Sequence, residues 1–172
     1  MGKHVIDVSR FISGSPEAVY AILADHPHLD QFHELSDSLL LKPGDTSADG
    51  EGAVRQVTIW MFGKLPVRFI EDITLAEKPR EFHYLVSRAH IMLGALPLWS
   101  GLRHHGGEVR LVAENGGCQV LWQSTIEFAI PLLGDWLGEI FRAEGERIFM
   151  SVLDQVDARL AACSSQMQPA GR

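Results

Sequence analysis

An α+β domain, in which a curved antiparallel sheet grips one long C-terminal helix, is the fold class this sequence predicts. Two observations predict it. After an alternating segment, Cys118 to Ile130, Pro131 opens an apolar-periodic helix that runs to about Cys163. Nearly everything before it, apart from two short stretches near the N-terminus, reads as strands. A sheet wrapped around a single helix leaves an apolar space between its concave face and that helix, and this space is where a ligand site is expected.

The elements follow in order. Residues 4–12 (HVIDVSRFI) alternate around Val5, Ile6, Val8 and Phe11 and form a first strand. Gly14-Ser15-Pro16-Glu17 starts a helix: Ser15 can accept from an unpaired backbone N–H, and Pro16 suits the first helical position. Val19, Ile22 and Leu23 give it one apolar face. A second short helix begins at Pro27, with Leu29 and Phe32 turned inward. Leu35 to Pro43 is a strand, and Gly44 to Gly52 a polar loop of turn formers. Strands over about 53–61 and 65–76 form a hairpin across Gly63-Lys64. Lys78-Pro79-Arg80 turns the chain into a strand from Glu81 to Arg88, and residues 108–113 and 118–130 form a second hairpin around Asn115-Gly116-Gly117.

Residues 89–107 (AHIMLGALPLWSGLRHHGG) read as a long apolar connector. Either Leu96, Pro97, Leu98 and Trp99 form a lid over the cavity that touches a membrane or a partner, or Ile91, Leu93 and Leu96 prolong a strand and join the core. On the C-terminal helix, Leu133, Leu137, Ile140, Phe141, Ile148, Val152, Val156 and Leu160 share one face. Glu144 falls on that face between Phe141 and Ile148, either lining the cavity or at its rim.

The chain has 172 residues, of which 46% are hydrophobic, which fits one soluble domain over residues 1–163 with a disordered tail over 164–172. A net charge of −7 without a basic cluster excludes a nucleic-acid partner. Cys118 and Cys163 lie in unrelated elements, so no disulfide framework is expected and a reducing cytoplasm fits. Residues 1–10 lack the apolar core of a signal peptide, and the apolar run from Ile91 to Trp99 is too short to span a bilayer. Ile6 stands where myristoylation requires Ser or Thr. A stable membrane anchor is therefore not expected, and transient membrane contact is left open, as is the choice between monomer and homodimer.

Polar residues break the apolar faces at a few places. Arg55 shares a strand face with Ala53, Val57, Ile59 and Met61, and Glu71 shares one with Val67, Phe69, Ile73 and Leu75. If the hairpin is centred on Gly63, the two lie opposite one another. A tight two-residue turn at Gly63-Lys64 would shift that pairing by one, so the register requires a longer loop or a bulge. Facing each other in a low-dielectric space, they form a charge-assisted pair that either satisfies itself or holds a polar ligand group. Tyr84 offers a phenol within an otherwise apolar wall, while His83 falls on the opposite face. The His26, His28 and His33 group and the His104-His105 pair lack the carboxylate or cysteine partners of a metal site, so no metal is expected. There is no glycine-rich phosphate loop and no nucleophile elbow, and no cofactor is expected.

The succession Ser15-Pro16-Glu17-Ala18-Val19-Tyr20, Gly50-Glu51-Gly52-Ala53-Val54-Arg55, Glu71-Asp72-Ile73 and Lys78-Pro79-Arg80-Glu81-Phe82-His83-Tyr84 resembles the polyketide cyclase/dehydrase and lipid-transport family of the START and Bet v 1-like (SRPBCC) superfamily. Leu96-Pro97-Leu98, Gly106 to Leu111 and Gly116 to Trp122 continue the likeness, which covers about residues 4–162. It implies a helix-grip fold: a seven-stranded antiparallel sheet around the long helix, two short helices after the first strand, and a hydrophobic tunnel. Phe128 to Leu133, Phe141-Arg142 and Arg147-Ile148 are also similar to the coenzyme Q-binding branch. At 28–33 the chain carries His-Leu-Asp-Gln-Phe-His, where that branch more usually has a Tyr-Pro and a nearby Trp.

Three functions are expected in turn. The first is binding of a hydrophobic or amphipathic small molecule, with Arg55, Glu71, Tyr84 and Glu144 as polar contacts and Trp122, Phe128, Phe141 and Ile148 as walls. The second is a cyclase or dehydratase in which Arg55 stabilises an enolate while Glu71 or Tyr84 exchanges protons. The third is an interaction module acting through residues 96–102.

Overall fold

A computed structural model describes residues 2–166, with side chains described to residue 163. Eight strands and two α-helices follow the order β1 (His4–Ile12), α1 (Pro16–Leu23), a short 3-10 helix (His26–Gln31), β2 (Leu35–Lys42), β3 (Val54–Met61), β4 (Leu65–Glu77), β5 (Glu81–Leu93), β6 (Leu96–Trp99), β7 (Leu102–Glu114), β8 (Gly117–Phe128) and α2 (Gly134–Gln166). The strands form one antiparallel sheet in the order β1-β8-β7-β5-β4-β3-β2, with β6 added to β5 outside this path. The expected helix-grip fold is thus present, with a seven-stranded path and a short eighth strand.

Local chemistry accounts for the small elements. Ser15 caps α1 by accepting from the Ala18 N–H at 3.3 Å, and Pro16 takes the first turn. The chain between the 3-10 helix and β2 is tied to α2 through Glu34, whose carboxylate accepts from the Ser151 hydroxyl and the Gln155 amide. Leu29 and Phe32 are thereby held inward, both buried.

The β3–β4 register is the one that places Arg55 opposite Glu71. Phe62, Gly63 and Lys64 form a three-residue loop. Phe62 and Gly63 both have positive φ, and the Lys64 N–H returns to the Met61 carbonyl at 3.1 Å. The extra residue restores the parity that a two-residue turn would have lost.

Several expectations are corrected. Residues 89–107 are not a connector: β5 runs on to Leu93, turns at Gly94-Ala95 and returns as β6, pairing Leu93 with Leu96 and His90 with Trp99. Of the residues expected to prolong a strand into the core, Ile91 does pack there, but Leu93 and Leu96 project into solvent. The long helix starts at Gly134 and not at Pro131, because Leu132 sits at φ 65 and interrupts the helical path. Leu133, expected on the buried helix face, is therefore exposed ahead of the helix. On β1 the buried positions are His4, Ile6, Val8 and Ile12, while Val5 and Phe11 face outward. Residues 164–166 continue the helix, and the remainder of the expected disordered tail, 167–172, lies outside the described residues.

The core lies between the concave face and α2, where Ile148, Val152, Leu153 and Val156 are buried. Burying each such side chain contributes about 1.5–3 kcal/mol relative to exposure. Two helix glycines allow a close approach. A methyl group at Gly138 would collide with the His4 ring, and one at Gly145 would stand 2.5 Å from Ile6 Cδ1. At those two positions the His4 and Ile6 side chains therefore lie directly on the helix backbone. Among the described residues, no helix is long and apolar enough to cross a membrane.

Candidate functional site

A cavity of about 120 Å³ occupies the space between sheet and helix. An engineered apolar cavity of about 150 Å³ accommodates benzene, so this one is of ring size. Its wall is mostly aliphatic and aromatic, and Arg55, Glu71, Tyr84, His104, Trp122 and Ser124 are the hydrogen-bonding side chains that reach it.

The first polar group is on β3 and β4. Arg55 and Glu71, both buried, face across the ladder, and Arg55 Nε donates to Glu71 Oε2 at 2.6 Å. Arg55 Nη1 donates to His26 Nδ1 at 3.0 Å. Because a guanidinium can only donate, His26 accepts through Nδ1 and carries its own proton on Nε2. Burial, with the neighbouring Arg55 charge second, pushes the His26 pKa down to about 3, so the ring stays neutral. Its backbone carbonyl accepts from the Ser38 hydroxyl. Arg55 Nη2 and Glu71 Oε1 have no hydrogen-bond partner among the described residues.

The second polar group spans β5, β7 and β8. Tyr84 pairs with Gly107, and Gly107 with Ser124, so the three lie in one row across the strands. The Tyr84 ring lies directly over Gly107, where any Cβ would overlap it. Its hydroxyl thereby crosses a whole strand and accepts from the Trp122 indole N–H at 3.0 Å. Burial, and secondarily the Glu71 charge, raise the Tyr84 pKa to about 12, which keeps the phenol protonated. A bulge between His104 and Gly106 turns His104 inward against Tyr84, the rings stacked with centroids 5.4 Å apart. His104 Nδ1 accepts from the Val86 N–H, and Nε2 lies 2.9 Å from Ser124 Oγ. Burial lowers the His104 pKa to about 4. Arg55 links the two groups, its guanidinium carbon 5.8 Å from the Tyr84 ring centroid.

Of the residues picked out from sequence, the cavity wall brings together Arg55, Glu71, Tyr84, Trp122, Phe141 and Ile148. Trp122 stacks on Phe149 of α2 at 4.0 Å, joining sheet to helix. Two expected contacts lie elsewhere. Glu144 is buried outside the cavity wall, its carboxylate held by the Phe62 N–H at 2.6 Å and by Arg147 at 2.9 Å, so it latches the β3–β4 turn to the helix. Phe128 is buried behind Phe141, ring to ring at 4.8 Å, and does not reach the space. Leu96, Pro97, Leu98 and Trp99 are exposed along β6 at the sheet edge, and none of them lines the cavity.

Sequence reasoning missed Ser124, His104 and the support from His26. The signal for the first two was Gly107, a glycine inside a strand, which often marks a bulge or a close approach. The histidines separate as metal chemistry would forbid: His26 is buried, His28 is exposed and bonded to Asp25, and His105 points outward to Glu127. Among the described residues, no group of three or more His, Cys, Asp or Glu is placed to hold a metal ion.

Similarity to known proteins agrees with this architecture. The chain is similar to the aromatase/cyclase Zhui from Streptomyces sp. R1128 at 16% identity, covering 92% of this chain and 96% of that one, with a TM-score of 0.67. It is similar to a START superfamily protein from Mycobacterium smegmatis at 11% identity, covering 91% and 99%, with a TM-score of 0.71. It is similar to Ara h 8.0201 at 16% identity, covering 90% and 98%, with a TM-score of 0.63. At these identities the likeness establishes the fold alone. No curated protein matches the chain. The family described as polyketide cyclase / dehydrase and lipid transport matches residues 3–162, and to that family this chain belongs.

Proposed function

We propose that the protein binds a hydrophobic or amphipathic small molecule, of lipid, polyketide or quinone-like character, in the cavity between the sheet and α2. The observation that carries this reading is a partly open, mostly apolar space into which a few polar groups reach with hydrogen-bonding capacity left over: Arg55 Nη2 and Glu71 Oε1. Trp122, Phe141 and Ile148 supply apolar area, and burial of such area at about 25 cal/mol per Å² needs few polar contacts to reach useful affinity. The free thiols, Cys118 buried and Cys163 exposed, support a cytoplasmic setting.

Mass spectrometry of the organic extract of protein purified from its own host tests the reading. A stoichiometric apolar compound is expected, and Val152→Phe, which fills the cavity, should remove it. An empty extract together with no binding of the dye 1-anilinonaphthalene-8-sulfonate sinks the proposal.

The cyclase or dehydratase alternative is supported by Arg55 and Tyr84 facing one cavity. Acid–base work is less well served. A phenol pushed up to about 12 gives up its proton poorly at neutral pH, and Glu71 is engaged by Arg55. Turnover that disappears in Arg55→Ala and Glu71→Gln proteins that still fold and bind ligand would favour it.

A second reading, for the same chain in its cellular context, is transient contact through the β5–β6 hairpin. Leu93, Leu96 and Trp99 are 68%, 57% and 72% exposed there. Trp99→Ser should leave stability within about 0.5 kcal/mol of the parent while reducing co-sedimentation with phosphatidylglycerol vesicles. Parent protein that does not sediment with such vesicles removes the membrane form of this reading.

A further inference from the structure

Four hydrogen-bond donors converge on one patch of the cavity wall: the Trp122 indole, the His104 ring and the hydroxyls of Tyr84 and Ser124. The Val86 N–H donates to His104 Nδ1 at 2.9 Å, so that nitrogen carries no proton and the neutral ring bears its hydrogen on Nε2. Nε2 then donates to Ser124 Oγ at 2.9 Å. The Trp122 indole can only donate, and gives its hydrogen to Tyr84 Oη at 3.0 Å. Two hydroxyl hydrogens remain, one on Tyr84 and one on Ser124. Any contact between the two hydroxyls absorbs at most one of these hydrogens. Whichever way that contact runs, an O–H is left with no acceptor among the described residues, and both side chains line the cavity.

A polar hydrogen facing apolar space is costly until it finds an acceptor. The nearby Arg55 adds a second surplus donor through Nη2. We propose that the cavity selects molecules presenting a carbonyl oxygen on a ring-sized apolar body, the oxygen accepting from the Tyr84–Ser124 hydroxyl pair. The inference rests on the binding reading above and names the ligand class for that same site. Ketones, quinones and aromatic esters fit. Hydrocarbons of equal shape do not satisfy the surplus hydrogen.

The test compares acetophenone with α-methylstyrene, which has the same outline but a CH₂ group in place of the oxygen, by displacement of 1-anilinonaphthalene-8-sulfonate from the full chain. Acetophenone is expected to bind about tenfold more tightly, the size of one net hydrogen bond. The infrared carbonyl stretch of bound acetophenone should lie at lower frequency in the parent than in the Tyr84→Phe/Ser124→Ala protein. The two-ligand comparison needs no variant, so it stands even if that double substitution fails to fold. Equal affinities with an unshifted carbonyl band overturn the inference and leave the binding reading intact. Failure of both probes and the dye to bind overturns the binding reading, and this inference with it.

Discussion

The two polar groups of the cavity are built on opposite principles. On β3 and β4, Arg55 and Glu71 are charges that neutralise each other directly across a ladder, with His26 accepting a second guanidinium hydrogen. On β5, β7 and β8, Tyr84, Ser124, His104 and Trp122 are neutral, and depend on a glycine and a bulge to meet at all. The first group is held by electrostatics, the second by backbone shape. The same few ångströms of cavity wall can therefore be damaged in two different ways.

The largest effect should come from breaking the charged group. Arg55→Ala leaves the Glu71 carboxylate buried without its counterion and is expected to cost about 3–5 kcal/mol in urea unfolding. Replacing both partners, Arg55→Met with Glu71→Leu, should cost less than the single change, because no lone charge remains. A double variant as unstable as the sum of the singles would mean that the pair is not the unit.

A titration probes both groups at once. His26 and His104 have pKa values lowered to about 3 and about 4, so the folded protein resists protonating them while the unfolded chain takes up protons below about 6.5. Their contribution to stability is complete above about pH 6.5 and is lost as pH falls toward 4 and then 3, at up to about 1.4 kcal/mol per pH unit for each ring. Urea midpoints measured between pH 7.5 and 4.5 should show this slope, and His104→Gln should remove about half of it. A flat profile would show that the rings are not held neutral.

The smallest of the three separates the groups. Gly107→Ala forces the Tyr84 ring off its seat and is expected to cost about 1–3 kcal/mol, the range for overpacking. It should abolish any preference for a carbonyl ligand while leaving the Arg55–Glu71 hydrogen bond, made between β3 and β4, in place. Loss of the carbonyl preference without loss of stability would mean that the ring relocates freely and the glycine seat is not what places it.

This contrast also explains what was legible beforehand. Charges interrupting an apolar period of two are visible in any strand, and a hairpin centred on Gly63 pairs Arg55 with Glu71 by simple addition. Tyr84 was readable for the same reason, by its parity with Phe82 and Val86. Ser124 and His104 were not, because the bulge between His104 and Gly106 resets parity on β7, and His104 to Gly107 falls in a stretch that reads as a connector until the strand is seen to run through it. Glu144 was correctly placed on the inner helix face, but the Phe62 N–H, freed by a left-handed turn, captures it before it can reach the cavity. Phe128 was assigned the right face and the wrong depth, since Phe141 stands in front of it. The exposed β5–β6 hairpin was legible as an apolar stretch and illegible as a pair of strands, because Gly94-Ala95 carries little turn signal by itself.

The seam between β1 and α2 has a consequence for how such a protein diversifies. Where Gly138 and Gly145 bring the helix backbone against the His4 and Ile6 side chains, the helix has no room for a side chain of its own, and any residue larger than glycine there must prise the two elements apart. A larger or smaller cavity is therefore reached more readily elsewhere on the wall, where Leu35, Met61, Trp122 and Phe149 meet the same space with replaceable bulk. The two glycine positions act as a fixed spine, and the capacity of the space is inherited through the rest.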